Sequence, residues 1–436
     1  MVRSLFCRFL YDGPGFNNDY IKEQIRKVTG PIESYDRTFG PGIRIAEIHR
    51  NVSFDENTLG RREGVNNIRI IASRFVVIPH FRRTDEEGRF TSSLRKYHFV
   101  AVNCVFQNEA LTIRSFVWGR QTVAGTAWGI LSSALSVNTP AMHIRLVNPT
   151  NNVNNTSINF SHGSKQALWS ITNNAIQEAN RNTINLNMRS GVQTQFLNVM
   201  CHYHHNTANA GYAAPMLARI GSYPEGHNIL LNKLNLASFI GQTIAGLLPD
   251  VIIGGGDDNP LSTNDLRQTI YHEYGHTLHY FKANPVNNNH WKTNIGFSIG
   301  SGYGDNINTA RGAFFSLSEG WADYIGHTYA FIKYGTNLNT VTETNAWTFQ
   351  TVTTHYQGLL EDVPTFYNSF IPRGLFFDLT DGGNNEDFDR IQGFTTNDIY
   401  QILSPTVITI QQFRTDWENQ HPNVNNALLF EEYLNP

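Results

Sequence analysis

The stretch IYHEYGHTLHY, residues 270–280, constrains this chain more than any other. It sets His272, Glu273 and His276 in the order H-E-x-x-H, with His279 one turn further on. A chain of this composition produces such a match by chance at most about 0.05 times. On a helix, residues i and i+4 share a face with their Cβ atoms about 6 Å apart, so two imidazoles can converge on one tetrahedral ion. Glu273 is rotated by about 100° from His272, beside such an ion rather than on it, where a general base for an activated water belongs. The flanks suit a helix. Ser262 is an N-cap with Asp265 three residues on, and Asn284–Pro285 is a stop signal, leaving room for about five turns. The competing reading is a Tyr- and His-rich amphipathic helix whose polar residues face solvent.

Two histidines do not complete a catalytic metal centre, so a further ligand is needed. FFSLSEGWADYIGHTYAFIKYG, residues 314–335, reads as a second helix, with Ser316 as its cap and Gly335 as its end. Glu319 and Asp323 stand at i and i+4 on it. A two-histidine, one-glutamate site needs a carboxylate ligand and an acceptor that orients a ligating imidazole, and these two residues have the types and spacing for both roles. Each also has a plainer reading. Glu319 is equally the N3 residue of a Ser316 capping box, and Asp323 equally a residue on a solvated face.

H-E-Y-G-H followed by S-E-G-W-A-D resembles the gluzincin metallopeptidases, closest in wording to thermolysin-like and fungalysin-like enzymes. The resemblance covers two short helical segments. It implies His272 and His276 as zinc ligands, Glu273 as catalytic base, Glu319 as third ligand and Asp323 as the partner of a ligating histidine, with one Zn2+ per chain and a peptide or protein substrate. The chain departs from the pattern in three ways. The interval between His276 and Glu319 is longer than in thermolysin-like enzymes, with 286–314 as an insert beside the site. No G-x-M-E-N segment lies upstream. The metzincin continuation is absent as well, since His279 and Lys282 stand where it has Gly and His or Asp.

Length and composition frame the rest. The 436 residues are too many for one ordinary core, and 40% hydrophobic and 12% aromatic content supports globular domains. A net charge of −3 without a basic stripe argues against a nucleic-acid partner. No apolar run is long enough for a membrane span. Only 16% of residues are charged, which suits a secreted or cell-surface protein. The opening MVRSLFCRFLYDGPGF starts like a signal peptide, but Arg8 and Asp12 break it and no small-residue cleavage site follows. The chain is therefore cytoplasmic, or secreted with its signal already removed. Cys7, Cys104 and Cys201 are too few and too scattered for a disulfide framework, and buried free thiols are expected.

The expected architecture is multidomain α+β, a small all-β sandwich followed by an α-rich zincin-like catalytic domain. Residues 1–55 form a segment of unclear fold, with a short helix at 19–28 and a strand-like alternation at 42–50. Residues 56–147 read as the sandwich, with strands at 97–106 and 111–118 and a tight turn at Gly88 in TDEEGRF. G-V-x-x-I-R-I followed by T-D-E-E-G-R-F resembles the transthyretin-like, carboxypeptidase-regulatory-like sandwich. The Asn-rich 148–164 reads as a linker, and 165–436 as the zincin-like domain, with helices at 164–182 and 194–207 and strands at 228–237 and 249–256. PDVIIGGG, 249–256, is the candidate edge strand for pairing with an extended peptide.

The implied mechanism is zinc-dependent peptide hydrolysis with Glu273 as general base. Tyr303, His327, His355, Tyr356 and Tyr367 are candidates for steadying the oxyanion. The alternatives are a catalytically inactive zincin-fold binding protein and a zinc hydrolase of non-peptide substrates. Two weaker constellations remain. CHYHHNT, 201–207, gathers Cys201, His202, His204 and His205, as a second metal site or as surface histidines at a helix end. DLTDGGNNEDFD, 378–389, resembles a Ca2+ loop without the EF-hand order, and is otherwise a cap-rich turn.

Overall fold

Strands fill the first part of the chain and helices the last, as a mixed α+β protein. The computed structural model describes residues 45–74, 78–95, 100–117, 140–147, 153–154, 157–188, 196–204, 213–214, 216, 219, 249–256, 260–283, 293–294, 306–335, 341–344, 351–354, 371–372, 374–380, 390–391 and 393–434. In chain order the first strands are β1 (Ile45–Glu56), β2 (Arg61–Gly64), β3 (Arg69–Arg74), β4 (Ile78–Arg83), β5 (Arg89–Arg95), β6 (Val100–Val105), β7 (Leu111–Val117), β8 (Met142–Val147), β9 (Val153–Asn154) and β10 (Ile158–Phe160). Helix α1 (Lys165–Asn185) follows, then β11 (Leu197–His204) and β12 (Val251–Gly256). The long helices α2 (Thr263–Lys282) and α3 (Ala310–Tyr334) come next, then the hairpin β13 (Val341–Thr344) and β14 (Thr351–Thr354). Four shorter helices close the chain: α4 (Leu375–Asp378), α5 (Thr396–Ile402), α6 (Ile410–Gln420) and α7 (Val424–Leu434).

β1 is the seam of the first sheet. Its first half pairs antiparallel with β5 and its second half with β2, while β9 and β10 run parallel to it on the other side. The change of partner requires two glycines. A Cβ on Gly64 would lie 2.1 Å from the Glu87 carbonyl carbon, and Gly88 has φ +76° with the Val52 carbonyl oxygen equally close to where its Cβ would be. The tight turn expected at Gly88 is there. Strands β4-β3-β6-β8 form a second, antiparallel sheet. The expected linker 148–164 instead supplies β9 and β10. Ile158 and Phe160 are buried, because an Asn-rich segment can still close a sheet with two apolar side chains on its inner face.

Two further readings change. Residues 111–117, expected in the sandwich, form β7 and pair in parallel with β11. Residues 197–204, expected to be helical, are that strand, lying parallel between β7 and β12. A strand covered on both faces shows a near-continuous apolar run, and Val199, Met200, Cys201 and Tyr203 are all buried, so period alone cannot separate it from a buried helix. The strand expected at 249–256 is β12, but at Ile252 it is not an open edge. The outward Ile252 N–H donates to the Ala213 carbonyl at 2.7 Å and its carbonyl accepts from Ala213 N at 3.1 Å, so the proposed site of peptide pairing is covered there.

α1 and α2 pack beside this sheet, and one continuous hydrophobic core runs from Val52 in β1 to Leu434 in α7. Among the described residues no helix is long and apolar enough to cross a membrane. Cys104 and Cys201 are buried free thiols, as expected, and burial pushes both up to about 12. Cys7, the helix expected at 19–28 and the strand expected at 228–237 lie outside the described residues.

Candidate metal centre

Two antiparallel helices build the site. α2 begins at the Ser262 cap, whose Oγ accepts from Asp265 N at 3.2 Å. The preceding amides are satisfied from the turn between β1 and β2: Thr263 N donates to Asn57 Oδ1 at 2.7 Å and Asn264 N to Thr58 Oγ1 at 3.0 Å. The first sheet thus caps the helix that carries the H-E-x-x-H residues. α3 begins at Thr309, whose Oγ1 accepts from Gly312 N at 3.0 Å, and it ends at Gly335, as expected. Ser316 is therefore not the cap. It lies fully buried inside the helix, which starts six residues before it, so Glu319 is not a capping-box residue.

The helices meet at small residues. A Cβ on Gly275 would lie 3.0 Å from Ala322 Cα, and one on Gly326 would lie 3.2 Å from His272 Cβ. Trp321 Nε1 donates to the Gly275 carbonyl at 3.0 Å and fixes the rotation of one helix on the other. This close approach carries Glu319 and Asp323 to the histidines. His272 Nε2 and His276 Nε2 are 3.2 Å apart, and Glu319 Oε2 lies 3.3 Å from the first and 3.5 Å from the second. A tetrahedral ion with ligand bonds of about 2.0–2.2 Å holds its ligand atoms about 3.3–3.5 Å apart. The triangle already has the size that a metal ion would set.

The outer contacts fit the same purpose. His272 Nδ1 is 2.7 Å from Asp323 Oδ1, so Nδ1 carries the proton of the neutral ring and the Nε2 lone pair faces the other donors. Ser318 Oγ lies 3.3 Å from His276 Nδ1 and serves the second imidazole. Three lone-pair atoms turned on one point repel each other unless a cation lies between them. Burial lowers the affinity of His272 for a proton, but Asp323 and Glu319 outweigh it, and the ring is held well above the ordinary histidine range. Burial would raise Glu319, yet His276 and His272 bring it down to about 2, so it stays an anion. This donor set could hold a metal ion.

Glu273 differs from Glu319. It is buried, and burial raises its carboxyl above the ordinary range, with His272 and His276 only partly opposing the shift. Its Oε2 has no hydrogen-bond partner. Beside the ligand group stands a carboxylate whose proton affinity is raised and one of whose oxygens is uncommitted, which is what a proton acceptor needs.

The remaining candidates separate. His279 is fully buried but outside the converging group. His327 Nε2 lies 3.1 Å from Gln268 Nε2, one turn before His272. Tyr303, His355, Tyr356 and Tyr367 lie outside the described residues. Cys201 and His202 are neighbours on β11, so their side chains point to opposite faces and cannot share an ion. His205 lies outside the described residues, and so does most of 378–389. Asp378 itself is buried in α4 and accepts from Tyr433 at 2.7 Å, so it is not free for a Ca2+ loop. Ser318 carries no signal in the sequence, since a mid-helix serine ordinarily bonds its own helix or water. No family model and no curated protein matches the chain.

Proposed function

We propose that this protein is a zinc-dependent peptidase, a relative in kind of the gluzincin metallopeptidases that its two motifs resemble. The observation that carries the reading is the pairing of a ligand triangle, His272, His276 and Glu319, with a buried carboxylate, Glu273, whose Oε2 is unengaged. A zinc ion held by the triangle supplies Lewis acidity and a water that ionises near neutral pH. Asp323 and Ser318 orient the two imidazoles. Glu273 accepts the proton of the attacking water, and its raised proton affinity lets it hold that proton until it passes to the leaving amine. Burial of Glu273 and Glu319 keeps bulk water from competing for that proton.

The test is metal analysis of protein purified without added zinc, followed by hydrolysis of a denatured protein substrate. One zinc per chain is expected, with hydrolysis abolished by a chelator and restored by zinc. His276→Ala should remove stoichiometric zinc. Zinc content near one per chain in that variant overturns the ligand assignment. Full zinc without hydrolysis of any peptide substrate would favour a binding protein or a hydrolase of another bond.

A further inference from the structure

Among the described residues, the sheets of the first half hold a buried charge with no counter-charge. Arg50 lies in the middle of β1 and is 3% exposed. Its Nε, Nη1 and Nη2 all lack a hydrogen-bond partner, and no carboxylate pairs with it among the described residues. A guanidinium remains protonated under all ordinary conditions, and a buried charge without a partner is among the costliest arrangements a fold can hold. Burial and the neighbouring Arg145 lower Arg50 only to about 10, so it is fully charged at neutral pH.

The groups around it are donors too. Arg50 stands opposite Phe90 in the β1–β5 register, and Ser92 stands opposite Ile48. Arg50 and Ser92 are therefore diagonal neighbours on one face, roughly 7–8 Å apart at Cα, within reach of a long side chain. Ser92 is 2% exposed, and its Oγ also has no partner. The facing edge is β8, where His143 pairs with Cys104 and Arg145 with Val102. Both partners are fully buried, so His143 and Arg145 lie on the inward side of that strand. The His143 ring packs on Phe160 of β10 with centroids 5.1 Å apart, which brings β8 against the β1 sheet. Arg145 is exposed at the open edge. His143 and Arg145, whose Nη1 reaches the Ser157 carbonyl at 3.4 Å, thus stand on the side of β8 turned toward the β1 sheet, and no acidic group pairs with Arg50 among the described residues.

We propose that these residues form a binding site for a small oxyanion, a phosphate or carboxylate group. Arg50 grips two of its oxygens, Ser92 donates to one, and Arg145 closes the exposed side. A planar fork of N–H donors matches both anions in shape, and a bound anion satisfies two of the orphaned guanidinium nitrogens and the Ser92 hydroxyl at once. The site is separate from the metal centre and does not depend on the peptidase reading.

The test is calorimetric titration of the full chain with phosphate, sulfate and acetate at constant ionic strength, with chloride as control. The metal-free His276→Ala variant is titrated in parallel to remove any contribution from the metal centre. Saturable binding of at least one oxyanion to both proteins is expected, and tighter binding of phosphate or of acetate identifies the natural group. Arg50→Met, which replaces the buried charge with an apolar chain of similar length, should weaken binding about tenfold or more, and Ser92→Ala by about three- to tenfold. Should Arg50→Met not fold, Arg50→Lys keeps the charge but loses the fork and should bind several-fold more weakly. No saturable oxyanion binding, or an Arg50 variant that binds like the wild type, overturns the proposal.

Discussion

His272 is held at both ring nitrogens: Nδ1 by Asp323, and Nε2 by the space it shares with His276 and Glu319. Replacing Asp323 by Ala removes the acceptor that fixes its tautomer. Metal affinity should fall about 10–100-fold, the usual effect of losing such a partner. Chelator competition on wild type and variant measures it, and equal affinities would return Asp323 to a surface role. Glu273→Gln makes the opposite separation. The amide keeps the volume but cannot take a proton, so zinc should remain at one per chain while turnover drops about a hundredfold or more. Unchanged turnover would rule out Glu273 as base. All of these side chains were legible in the sequence, because each pair sits at i and i+4 and a helix turns that spacing into a shared face. Ser318 was not legible. Its role depends on which way α3 rolls against α2, and that rotation is set by Trp321 and Gly275 across the interface.

At the scale of the element, the distance between α2 and α3 decides whether the ligands meet. Gly326, like Gly275, allows the close approach, with His272 Cβ and the Gln268 carbonyl 3.2 and 3.1 Å from where its own Cβ would stand. A branched side chain there must push α3 away. Gly326→Val should destabilise the fold by about 1–3 kcal/mol, as overpacking does, and should also weaken metal binding, because Glu319 and Asp323 ride on α3. Thermal melting with zinc titration tests both effects, and a variant that loses stability but keeps full zinc affinity would show that the ligands do not depend on this contact. The sequence located both helices, yet it misplaced the start of α3 because Ser316 and Glu319 imitate a capping box, whereas Thr309 does the capping. It also read β11 as a helix. A central parallel strand has no polar face, so the alternation that marks strands is missing. The turn at Asn57 and Thr58 that caps α2 was invisible for another reason. Residues so far apart in the chain meet only once the first sheet and the helices have packed.

At the scale of the whole molecule, a buried cluster of charges ties the sheet to the helices one turn ahead of the metal ligands. Arg267 of α2 is fully buried and pairs with Glu63 of β2 and with Glu178 of α1 at 2.6 Å, while Lys333 of α3 reaches Glu178 at 2.6 Å and Glu63 at 3.1 Å. Tyr271 donates to Glu178 at 2.7 Å. No local pattern announces this cluster, since its members are scattered across four elements and each reads as an ordinary surface charge. It makes stability depend on acid. Burial alone would raise Glu178, but Arg267 and then Lys333 outweigh it and bring the carboxyl down from 4.5 to about 2. A carboxyl whose folded value is depressed stabilises the fold fully above its unfolded value and loses that contribution as pH falls through the folded one. Glu178→Gln cannot ionise and lacks the contribution at every pH. The gap in stability between wild type and Glu178→Gln should therefore be widest near pH 7, begin to shrink below about pH 4.5, and close as pH approaches about 2. Urea denaturation of both proteins, stripped of metal so that metal release at low pH does not enter, at a series of pH values from neutral downward gives that gap directly, because the titration of the metal ligands is common to both. A gap that stays constant across the series would mean that Glu178 is held by packing and hydrogen bonds alone, and that the cluster does not act through its charge.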